Sequence, residues 1–68
     1  MALRPVSRVW QHQKHVECLI YFDEPRGLWE VQMKKGTRVL HHVEVHDATA
    51  AYMTAVRWRR DVEWMARA

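Results

Sequence analysis

Gly27 to His46, GLWEVQMKKGTRVLHHVEVH, alternates as two strands closed by a tight Lys34-Lys35-Gly36-Thr37 turn. In Leu28 to Met33, the side chains of Trp29, Val31 and Met33 fall on one side and those of Leu28, Glu30 and Gln32 on the other. This is the period-two pattern of a half-buried strand. Thr37 to His46 repeats it, with Val39, His41, Val43 and Val45 set against Arg38, Leu40, His42, Glu44 and His46. Gly36 stands where a short hairpin loop needs positive φ.

Working outward on the N-terminal side, Val16 to Phe22 (VECLIYF) is rich in β-branched, aromatic and aliphatic residues and reads as a further strand. Val16, Cys18, Ile20 and Phe22 share one face, and Glu17, Leu19 and Tyr21 the other. Asp23-Glu24-Pro25-Arg26-Gly27 joins it to the hairpin, with Pro25 presetting φ and Gly27 tolerating a positive one. Residues 1–15 (MALRPVSRVWQHQKH) are polar and basic around Pro5, so they are expected to form a loosely ordered arm, extended around Val6 to Gln11.

On the C-terminal side, Asp47 is placed to cap a helix, and Ala48 to Ala55 has high helix propensity. Ala48, Ala51, Tyr52, Ala55, Trp58 and Val62 recur at steps of three and four and form one stripe. A bare meander exposes an apolar face, so this stripe is expected to cover Val16, Cys18, Ile20, Phe22, Trp29, Val31, Met33, Val39, Val43 and Val45. The predicted fold is α+β: a three-stranded antiparallel β-meander packed against one C-terminal α-helix (β-β-β-α), with residues 1–15 as the arm and 16–68 as a single domain.

A chain of 68 residues buries a modest fraction of its surface, so its core depends on large side chains such as the four Trp and four Met. The single cysteine, Cys18, cannot form an internal disulfide, which favours a reducing compartment. No apolar run is long enough to span a bilayer and none resembles a signal peptide, so a cytoplasmic location is expected and no membrane partner. The net charge of +3 is compatible with an acidic partner.

The candidate sites are surfaces. Met53, Arg57, Arg60 and Trp64 recur on a helix face away from the Ala stripe, and guanidinium groups beside an aromatic suit phosphate contact and base stacking. Lys34, Lys35 and Arg38 cluster at the hairpin tip, where cations can grip phosphate. The outer sheet face mixes Leu19, Tyr21, Leu28 and Leu40 with Glu17, Glu30, Gln32, His42 and Glu44. Left open, such a patch suits a protein partner or self-association; folded over by Val9 and Trp10 of the arm, it disappears. The five histidines do not show a metal-ligand spacing, Cys18 reads as inert packing, and neither a catalytic arrangement nor a phosphate loop is present. No metal, cofactor, small-molecule substrate or catalytic residue is therefore predicted.

Pro25, Gly27 and Trp29 (EPRGLWEVQM), then KKGTRVL, then Ala51-Tyr52 and Ala55 together resemble in order the ethylene-response (Apetala-like) DNA-binding domain and its integrase relatives. The resemblance covers about half of the chain and implies a three-stranded sheet on a helix, with the outer sheet face reading the major groove. Family members carry Arg and Trp on that face, whereas this chain has Glu17, Leu19, Tyr21, Leu28 and Glu30. Only Arg26, Lys34 and Arg38 stand where a family-like contact carries over. Two readings follow. One is a small non-enzymatic nucleic-acid-binding or regulatory protein using Arg26, Lys34, Lys35, Arg38, Arg57, Arg60 and Trp64. The other is a protein-interaction or homodimerisation module using Trp10, Leu19, Tyr21, Leu28 and Leu40.

Overall fold

The hairpin at the centre of the sequence forms one half of the sheet in the structure, a computed structural model that describes residues 3–12 and 16–67, with side chains through Asp61. Four strands, β1 (Leu3–His12), β2 (Val16–Asp23), β3 (Leu28–Lys35) and β4 (Arg38–Val45), precede one helix, α1 (Ala48–Arg67). The strands form a single antiparallel meander in the order β1-β2-β3-β4. The sheet therefore has four strands and not three. The segment expected to be an arm is its first edge strand.

Two register shifts explain why β1 does not alternate. Pairing with β2 jumps between Pro5 and Ser7 and again between Arg8 and Trp10, which leaves Val6 and Val9 without residues opposite. Each bulge resets the side-chain period, so apolar and polar residues lose the spacing that marks a strand. Trp10 pairs with Cys18 and lies on the helix side of the sheet. Its indole Nε1 donates to the carbonyl oxygen of Ala55 at 2.7 Å, tying β1 to the middle of α1.

The central strands pair without a break: Cys18 with Met33, Ile20 with Val31 and Phe22 with Trp29. Their helix-side residues Val16, Cys18, Ile20, Val31 and Met33 are buried with Ala51, Ala55 and Trp58 of α1. Val9, Trp10, Trp29 and Val45 pack around this cluster. Small alanines bring the helix backbone close to the sheet, and Trp58 fills the space beyond them. The Trp58 ring lies 5.0 Å from that of His41, centroid to centroid. Phe22 and Trp29 make a similar tilted contact at 4.8 Å towards the start of the helix.

Asp47 caps α1, its Oδ1 accepting from the amide of Ala50 at 2.7 Å. Gly27 and Gly36 adopt φ of 65° and 61° in the two turns, where an L side chain is disfavoured.

Three expected core positions are left exposed. Pairing between β3 and β4 shifts between Met33 and Lys34, so that Met33 faces His41, Lys34 faces Val39, and Leu40 has no residue opposite. Beyond that bulge the faces exchange, which turns Arg38 to the helix side and Val39 to the outer side. Val39 is accordingly 44% exposed. Val43 keeps its helix-side position but is 36% exposed, because α1 touches β4 least of the four strands. Tyr52 is 42% exposed, since the narrow Ala51/Ala55/Trp58 stripe suffices to seat the helix. Val62 belongs to the part of α1 whose side chains lie outside the described residues.

Candidate nucleic-acid interface

The long dimension of the molecule is 39 Å, and its charged groups divide between the two ends of the sheet. The β2–β3 turn and the start of α1 occupy one end, and the β3–β4 turn the other. Trp58 rests on His41, so the second half of α1 runs towards the β3–β4 turn.

At the first end the cations are paired. Arg26 donates through Nε to Asp23 Oδ2 at 2.6 Å and through Nη2 to Glu44 Oε2. Arg4 lies 3.4 Å from Glu24. These pairs are exposed, so each contributes within about 1 kcal/mol to stability, but they cancel the local charge. Arg26, grouped by sequence with the other candidate cations, is thereby separated from them by the length of the strands.

At the second end the pattern reverses. Lys35 pairs with Val16 on one side and Arg38 on the other, which sets both cations on the helix side of the sheet beyond the Trp58–His41 contact. Lys34 points to the outer side, between Glu17 and Val39. Arg57 and Arg60 are exposed on α1 on either side of Trp58, which lies level with the middle of β4. Among the described residues none of Lys34, Lys35, Arg38, Arg57 and Arg60 makes an ion pair. The carboxylates of Glu17 and Asp61 accompany these cations without closing a bridge to them.

Arg57 and Arg60 line a shallow hollow of about 340 Å³ together with Tyr52, Met53 and Val56. The spacing predicts Tyr52 in the core, yet it stands beside the guanidinium groups. The signal for it lay in the helix itself: Tyr52 sits one step off the line through Ala51, Ala55 and Trp58, at the margin of a stripe made of small residues. The side chain of Trp64, expected on the same strip, lies outside the described residues.

The residues of the expected protein interface divide differently. Trp10 is committed to α1 and the core. Leu19, Tyr21 and Leu28 are half-buried on the outer face, and Leu40 is the exposed bulge residue of β4. Because β1 continues the sheet alongside β2, it does not fold across that face. Arg8 and Pro5 extend the face beside Leu19 and Tyr21. Gln32 and Glu30 are joined there by a 2.6 Å hydrogen bond.

Cys18 is fully buried, and burial pushes its thiol up from 9.0 to about 12, which makes it a poor nucleophile. His41 lies against Trp58, while His42 takes the outer side and His15 falls outside the described residues. Among the described residues no three His, Cys, Asp or Glu side chains gather as a metal-binding group, and no helix is long and apolar enough to cross a membrane. Comparison with protein-family models, characterised proteins and solved structures finds no match to this chain. What it shares with the ethylene-response domain is thus the plan of an antiparallel sheet with a C-terminal helix.

Proposed function

We propose that this chain is a small non-enzymatic nucleic-acid-binding protein that meets phosphate with Lys34, Lys35 and Arg38 of the β3–β4 turn and with Arg57 and Arg60 of α1. The observation that carries the reading is the charge separation: cations at one end are neutralised by carboxylates, while these form no ion pair among the described residues. Unpaired cations raise the local concentration of a polyanion and release its counterions on contact. Tyr52 beside Arg57 and Arg60 supplies an aromatic surface for an unpaired base, which favours single-stranded nucleic acid at the helix. The mode differs from that implied by the ethylene-response resemblance, because the contacts lie at an end of the sheet and on the helix.

Fluorescence anisotropy with labelled single-stranded and duplex oligonucleotides of mixed sequence tests this. The R57Q/R60Q double variant is expected to weaken single-strand binding about tenfold or more while leaving the circular dichroism spectrum intact. Equal binding by the wild type and this variant removes the helix from the site.

The outer sheet face supports a second reading, docking of a protein partner over Leu19, Tyr21 and Leu28, because no described element crosses it. Leu19→Gln distinguishes the two: it weakens partner docking in that reading and, adding no charge, leaves oligonucleotide binding unchanged.

A further inference from the structure

The two edges of the sheet are not equivalent. β1 carries Pro5, Arg4 and Arg8 and is interrupted by bulges at Val6 and Val9, features that prevent another strand from adding to an edge. β4 has Arg38 and a bulge at Leu40 at its start, but it contains no proline and runs in unbroken register from His41 to Val45. Every residue from Arg38 to Glu44 is exposed, and Val39, Leu40 and Val43 are among the large apolar side chains left in water. Nothing in the described structure covers the backbone groups along this edge.

We propose that a second copy of this chain pairs with β4, antiparallel, about a two-fold axis through Val43, so that one sheet runs through both molecules. The side chains specify the occupant and the register. Antiparallel pairing about a two-fold axis sets one residue opposite itself. With His42 at the centre, two imidazoles meet; with Glu44, two carboxylates meet, which is repulsive. A centre at His41 carries Glu44 against the bulged segment, and a centre at Val45 leaves little strand before α1 begins at Ala48.

With Val43 at the centre, Val43 meets Val43 on the helix side. On the outer side, His42 of each copy lies opposite Glu44 of the other. Glu44 is already in an unbalanced position: its cross-strand neighbour on β3 is Glu30, a like charge, offset by Arg26 from the turn. An imidazole from the far side gives its carboxylate a further donor, and the symmetry provides this twice. The axis is normal to the sheet, so both helices lie on the same face and the two basic ends point in opposite directions. The association therefore stands independently of nucleic-acid binding.

Sedimentation equilibrium across about 10 μM to about 1 mM protein tests the proposal. The wild type is expected to show a monomer–dimer equilibrium. His42→Glu places carboxylates opposite Glu44, and Glu44→Lys places an ammonium group opposite His42, so each alone weakens dimerisation by about tenfold or more. Mixed in equal amounts, these two variants restore association to about the wild-type level, because each pair then joins Glu with Lys or Glu with His. Val43→Arg, which leaves the Arg26–Glu44 contact in place, also abolishes the dimer and serves if Glu44→Lys does not fold. A wild type that is monomeric over the whole range overturns the proposal. So does a dimer that His42→Glu and Val43→Arg leave unchanged.

Discussion

Trp10 and Cys18 show how single side chains decide the core of so small a chain. Trp10 stands opposite Cys18 and reaches from the helix side of the sheet to the Ala55 carbonyl, so one indole fixes both the first strand and the helix. Trp10→Phe keeps most of the ring and removes the donor. It is expected to cost about 1 kcal/mol in urea unfolding followed by far-ultraviolet circular dichroism, and unchanged stability would show that the bond does not contribute. Cys18 makes a pH-dependent contribution. Its thiol ionises near 9.0 when unfolded and near 12 in the core, so the native state holds the proton more tightly. The contribution is fully present below pH 9.0 and is lost as pH rises towards 12, at up to about 1.4 kcal/mol per pH unit. Cys18→Ala is less stable than the wild type at neutral pH because of the cavity it leaves. Its stability should nevertheless fall less steeply above pH 9.0, and parallel pH profiles would contradict the burial of the thiol.

At the scale of elements, α1 depends on its first turn and on a stripe of small residues. There is no acidic residue in its first turn to complement the exposed amides, so the cap rests on Asp47. Asp47→Ala is expected to lower stability by about 1 kcal/mol in chemical denaturation, and Asp47→Asn by less, since the amide oxygen still accepts. The elements that follow a simple period were legible in the sequence. β2, β3, both turns and the start of α1 stand where alternation, glycine, proline and a capping aspartate place them. β1 and the first part of β4 were not, for one physical reason: a bulge inserts a residue and reverses the alternation. Val6 and Val9 thus hid a strand, and Leu40 exchanged the faces of Arg38 and Val39. Tyr52 was misplaced because a helix period gives the direction of a stripe but not its width. The basic residues were legible as candidates, but their grouping was not. Only the strand register shows Lys35 and Arg38 on the helix side, and Arg26 at the opposite end between Asp23 and Glu44.

At the scale of the whole molecule, the meander converts a modest net charge of +3 into two unlike ends. Carboxylates and arginines cancel around the β2–β3 turn, while Lys34, Lys35 and Arg38 at the β3–β4 turn and Arg57 and Arg60 on α1 form no ion pair among the described residues. The proposed function therefore depends on position and not on total charge, which makes variants at the two ends informative. The most direct measurement is the salt dependence of oligonucleotide affinity, taken between about 50 mM and about 200 mM salt, for the wild type, K34Q/K35Q and R26Q. With these cations on phosphate, log affinity against log salt for single-stranded DNA should have a slope of about −3.5, and K34Q/K35Q should flatten it by about 1.4. R26Q, which removes the same kind of charge from the paired end, should leave the slope unchanged. Absence of binding at the lowest salt, or a flattening by R26Q as large as that by K34Q/K35Q, would contradict the account.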